Sequence, residues 1–96
     1  MSSSLQVGVA TRLTGSTAET TLFAKPAVLL GVVVNNTMAG TLTIRDGVAG
    51  TVMAILPIGT VVQDIEFGPF GVGTTTGLTA QLSNAADAVT MVWMPE

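Results

Sequence analysis

Between Gly40 and Pro57 the chain reads GTLTIRDGVAGTVMAILP. Leu42 and Ile44 alternate with Thr41, Thr43 and Arg45, Asp46-Gly47 supplies a turn, and Val52 to Leu56 forms a second apolar run. This is the pattern of a β-hairpin. Similar stretches recur along the chain at intervals of about 8–12 residues, the spacing of a sandwich or barrel of short strands. Apolar spacing by three and four, which a helix requires, is not sustained in any stretch free of glycine and β-branched clusters.

The first predicted strand is Leu5 to Leu13, with Leu5, Val7 and Val9 on one face. TGSTAET, residues 14–20, reads as a loop, and TLFAKP as a short edge piece that Pro26 ends. VLLGVVVN, residues 28–35, is apolar on both faces and predicts a central strand. After the NTMAG turn come the two arms of the hairpin, Thr41 to Arg45 and Thr51 to Leu56. Thr60 to Phe67 predicts another strand, with Val61, Ile65 and Phe67 on one face and Val62, Asp64 and Glu66 on the other. GPFGVGTTTG, residues 68–77, is a glycine-rich loop carrying Phe70 and Val72. Leu78, Ala80 and Leu82 point inward from the next strand, Thr79 and Gln81 outward. The last strand, Val89 to Met94, sets Met91 and Trp93 on one face and Val92 and Met94 on the other.

The expected fold is therefore all-β: a small antiparallel β-sandwich of seven or eight short strands, jelly-roll or immunoglobulin-like. Residues 1–96 form one domain, with residues 1–4 as a short flexible arm. The second apolar face of the last strand has no partner inside a two-layer sandwich. Either the N-terminal segment or another subunit must cover it, and the subunit is the expectation.

Composition supports that choice. Hydrophobic residues make up 48% of the chain and charged residues 9%, against about 25% charged in ordinary soluble domains. A solitary domain needs surface charge to remain unassociated, so much of this surface is expected to face protein. With no cysteine, neither a disulfide nor a thiolate metal site reinforces the small core. Arg12, Lys25 and Arg45 are scattered and the net charge is −3, which argues against a nucleic-acid partner. The longest apolar run, Ala27 to Val34, is far short of the ~20 residues of a membrane-crossing helix. The opening MSSSLQVGV lacks the basic and apolar segments of a secretory leader, so the chain is expected to be made in a cytoplasm.

Candidate chemistry is sparse. Without histidine, cysteine or tyrosine, the usual nucleophile pairs and most zinc sites are closed off, and no cofactor is expected. Asp64 and Glu66, two residues apart on one strand face, sit roughly 7 Å apart, a spacing that would suit an acid and a base. A solvated face, or one meeting a cation such as Arg45 within the chain or across a subunit contact, is the plainer reading. Two carboxylates also fall short of the six to eight oxygens calcium takes. GPFGVG lacks the lysine and following helix of a phosphate loop. Phe70 at its tip is either an anchor for a partner or a plug folded over one end of the sandwich. Trp93 reads as a core or interface filler. The expectation is a protein that binds and is not an enzyme.

GVVVNNTMAGTLTIRDG, TVMAILP and GLTAQLSNAADAVTMVW together resemble small all-β virion proteins of tailed bacteriophages. The likeness is carried by Gly31 to Asn35, Gly40 to Gly47, Gly77 to Leu82 and Ala88 to Trp93, about two-thirds of the chain. It implies a structural protein on the capsid surface of a virion, decorating the head as trimeric cement where capsomers meet. Its partners would be the major capsid protein or another virion protein, and further copies of itself. A homotrimer would bury Val92 and Met94 with Leu5, Val7 and Val9, leaving Phe70 and Val72, or the polar N-terminal arm at residues 1–4, to touch the capsid. The alternative is a tail or fibre-base component that binds host glycans or acts as an adaptor.

Overall fold

The structure, a computed structural model, describes residues 9–96, so the arm at residues 1–4 and the contacts assigned to Leu5 and Val7 lie outside the described residues. Nine strands follow in order: β1 (Val9–Thr14), β2 (Thr20–Phe23), β3 (Ala27–Val34), β4 (Leu42–Asp46), β5 (Thr51–Leu56), β6 (Gln63–Glu66), β7 (Val72–Gly73), β8 (Leu78–Leu82) and β9 (Ala88–Pro95). They form two antiparallel sheets. One has the order β1-β9-β3-β6, with β7 also paired to β3; the other runs β2-β8-β4-β5. No helix occurs among the described residues.

β3, apolar on both faces, lies inside the first sheet, with β9 on one side and β6 and β7 on the other. β6 pairs with Gly31 to Val34 and β7 with Val28 and Leu29, so the two act as one edge strand interrupted by a short excursion. Counted that way, the chain changes sheet at every connection except the β4–β5 hairpin. An immunoglobulin-like sandwich keeps its first two strands in one sheet, whereas β1 and β2 here lie in different ones. The arrangement is a jelly roll.

Leu29, Val32 and Val34 of β3 and Val89, Met91 and Trp93 of β9 face Leu42, Ile44, Leu78, Ala80 and Leu82 of the second sheet across the core. Two carboxylates fasten its ends. Asp87, buried, accepts hydrogen bonds from the backbone N–H groups of Ala39 (2.8 Å) and Gly40 (2.9 Å), tying the β3–β4 connection to the β8–β9 connection. Asp46 accepts from the N–H groups of Thr75 and Thr76 at 3.0 and 2.8 Å and from the Thr75 hydroxyl at 2.9 Å. These donors, the Thr75 and Thr76 amides foremost, lower its pKa from 3.8 to about 2. A carboxylate with a depressed folded-state pKa stabilises the fold above its unfolded value and loses that contribution as pH falls through the folded one. Thermal stability should therefore drop between about pH 4 and pH 2. In Asp46→Asn that drop should be smaller, with a lower plateau at neutral pH; an unchanged acid profile in the variant would contradict the assignment.

Two local expectations need correction. The strand expected from Thr60 to Phe67 begins only at Gln63. Gly59 donates its N–H to the Met38 carbonyl and Met38 donates to the Thr60 carbonyl, both at 2.9 Å. The backbone before Gln63 is thus held by the β3–β4 connection instead of β3, and Val61 and Val62 are exposed. Ile65 and Phe67 do pack against the core. Thr79, expected to point to solvent, is fully buried because the β1–β2 loop covers it, with its hydroxyl 2.9 Å from the Glu19 carboxylate.

Gly31 is required by a close approach. A Cβ there would sit 2.7 Å from the Ile65 carbonyl oxygen on β6. Gly31→Ala should cost about 1–3 kcal/mol, as overpacking does, measured by urea denaturation. A variant as stable as the parent would mean that β6 moves aside freely.

Candidate docking face

Directly opposed residues of antiparallel strands project to the same face, so the pairing register lays out the outer surface of the first sheet row by row. One row crosses the sheet as Arg12, Thr90, Val33 and Asp64; the next as Ala10, Val92, Gly31 and Glu66; a third holds Met94, Val28 and Gly73. The face therefore has an apolar centre with a cation on its β1 border and two carboxylates on its β6 border. Arg12 and Asp64 are separated by three interstrand spacings of about 4.8 Å, roughly 14 Å in all. The only ion pair among the described residues is Arg45 with Glu19, at 3.9 Å on the other sheet.

A register shift between Leu29 and Gly31 leaves Leu30 as a bulged residue in β3. Bulges bend a strand and re-aim its side chains. Beside the bulge lies a trough of about 380 Å³ lined by Leu30, Gly31, Val33, Val92, Asp64 and Glu66, with Gly68 and Pro69 also on its wall. Leu30, Val33 and Val92 are half-buried, and Met94 is exposed. Gly68 and Gly71, both at positive φ, turn the chain out and back. Phe70 stands at the tip of that excursion and is 88% exposed.

The residues singled out in the sequence do not all come together. Val92 and Met94 share the outer face as expected. Val9 does not join them: it pairs with the inward-facing Trp93 and so lies on the opposite side of the sheet, where it is exposed. Val72 pairs with Leu29 at the sheet margin. Phe70 is no plug, given its exposure. Trp93 is a core residue, its ring centroid 5.2 Å from that of Phe23 and its Nε1–H donating to the Thr11 hydroxyl at 3.0 Å. Arg45 does not meet Asp64 or Glu66 within the chain; its guanidinium donates to Gln81 at 3.1 Å and faces Glu19. The carboxylate pair is exposed, with Val33 and Gly31 as strand neighbours. Among the described residues no cation pairs with either carboxylate.

Arg12, Leu30 and Gly31 gained their place in this face from the fold alone. In the sequence Arg12 is one of three scattered cations, and only the β1-β9-β3-β6 order sets it level with Asp64. No protein-family model, curated protein or solved structure matches this chain.

Proposed function

We propose that the chain is a structural protein of a virus particle: a decoration or cement protein that binds the head surface of a tailed bacteriophage, stabilises the shell and performs no catalysis. The observation that carries this reading is the surface. Ten large hydrophobic side chains are exposed among the described residues, from Val9 to Met94, in a chain with three basic and six acidic residues. A jelly roll is an architecture that viral capsid domains share with lectins, and a fold alone does not fix a function. An apolar surface this poorly charged is suited to permanent contact with protein. Individually weak contacts repeated over a shell would add up to firm attachment.

The chain works as a homo-oligomer whose copies meet through Val92 and Met94. The resemblance points to three copies, the charge pattern of the first sheet to two. Replacing Val92 and Met94 together with lysine should reduce the assembly to single chains and remove the stabilisation that assembly adds, while leaving the stability of the single chain, compared at a dilution where the parent is also dissociated, unchanged because neither side chain enters the core. Sedimentation of the double variant checks this, and an unchanged mass would put the contact elsewhere.

A second reading, a tail or fibre-base protein that binds host glycans, draws on the exposed Phe70 beside a trough with two carboxylates. Mass spectrometry of particles made from the genome that encodes the chain, with gold-labelled antibody on the same particles, separates the readings. Label over the head surface supports decoration. Label confined to the tail supports the second reading, and absence from the particles overturns both.

A further inference from the structure

We propose that the outer face of the first sheet is self-complementary and binds a second copy of this chain about a two-fold axis running along the strands. The inference rests on the homo-oligomer part of the proposed function and not on the virus particle.

Two sheets stack face to face about 10 Å apart with their strands roughly aligned. A pair of identical sheets can be aligned by a two-fold axis in only two ways. With the axis across the strands, β1 lies over the partner's β1 and β6 over the partner's β6. Arginine then approaches arginine and the carboxylates approach carboxylates, which opposes association. With the axis along the strands, β1 lies over the partner's β6 and β9 over the partner's β3. Row positions are preserved by that axis, so Arg12 meets the partner's Asp64 in the same row, twice per dimer. The next row places Val92 over the partner's Gly31, the one position in the centre of the face that has no side chain. Val92 thus packs over a low point in the partner's face, beside the trough that Leu30, Gly31 and Glu66 line. An isologous contact needs this property, each patch complementary to itself after rotation.

Within one chain Arg12 lies too far from Asp64 and Glu66 for a direct ion pair, at roughly 14 Å across three strand spacings. A carboxylate and an arginine projecting from opposite sheets about 10 Å apart can reach each other. Charges that form no ion pair among the described residues of the single chain become rim pairs around a buried apolar centre, the usual anatomy of a protein interface.

Charge reversal tests the geometry. R12E and the double variant D64R/E66R each place like charges together at both rims, and each should weaken self-association by about ten- to a hundredfold. Mixed in equal amounts, the two variants restore opposite charge at both rims and should sediment together at twice the mass of one chain. The triple variant R12E/D64R/E66R should self-associate as the parent does, a rescue that misfolding of either variant would not produce. A head-to-tail ring of three cannot alternate two variants without one repulsive contact, so the mixture also distinguishes two-fold from three-fold assembly. Three results would overturn the proposal: a parent chain that stays single at every concentration, R12E that associates like the parent, or a mixture that remains monomeric.

Discussion

Asp87→Ala should lower the stability of the chain by about 3 kcal/mol, since it strips a charged acceptor from the Ala39 amide and the buried Gly40 amide. For a domain of this size that corresponds to a fall of about 12–24 °C in melting temperature. Burial of the Asp87 carboxyl by itself would raise its pKa, but the N–H groups of Ala39 and Gly40 and the Asn36 amide outweigh burial and lower it. The group is therefore held charged, and its contribution is present above the ordinary carboxylate value and lost in acid. Alanine leaves the Gly40 N–H, 2.9 Å from the lost oxygen, without an acceptor in a buried place. The hydrogen bond from the Thr14 hydroxyl to the Asp87 carbonyl involves the backbone and survives. Asp87→Asn preserves the shape and removes the charge, so it should recover only part of the loss. Thermal and urea denaturation of both variants at neutral pH give the result, and a shift of under about 4 °C for alanine would contradict the role assigned to this carboxylate.

Trp93→Ala should cost about 3–5 kcal/mol, the range for deleting a buried large aromatic. The side chain fills the core against Phe23 and satisfies its own N–H on Thr11, so its loss opens a cavity and removes a hydrogen bond between β9 and β1. A small domain is stable by about 5–15 kcal/mol in total, so the variant should lose a large share of its stability. Circular dichroism in urea measures it, since the chain's single tryptophan is gone. Trp93→Phe should retain most of the packing and lose the hydrogen bond. The neighbouring Val92→Lys is the contrast, with assembly lost and the stability of the dissociated single chain kept. If Trp93→Ala folded as stably as the parent, β9 would not be the shared wall of core and docking face described here.

Much of this division was legible in the sequence. Alternation along β9 separated Met91 and Trp93 from Val92 and Met94, because a strand sends successive side chains to opposite faces whatever its partners are. β3 read as an interior strand from its apolar residues on both faces. The same alternation overextended β6, since a pattern does not reveal that Met38 captures the backbone of Gly59 and Thr60. It also left Thr79 outward, because the covering loop with Glu19 is distant in sequence. Jelly roll and immunoglobulin-like windings remained alternatives, since strand order depends on contacts between distant segments. The charge pairing was hidden for that reason: Arg12, Asp64 and Glu66 acquire a common geometry only through β9 and β3.

In the proposed dimer the apolar face around Val92 is covered by another copy of the chain. The most direct test is the solution mass of the purified full-length protein, by light scattering across a hundredfold dilution. The expected mass is near twice 9.7 kDa at the concentrated end, moving towards 9.7 kDa as the protein is diluted. A mass of 9.7 kDa at every concentration would contradict self-docking, and a stable value of three times that mass would replace the two-fold contact with the trimer.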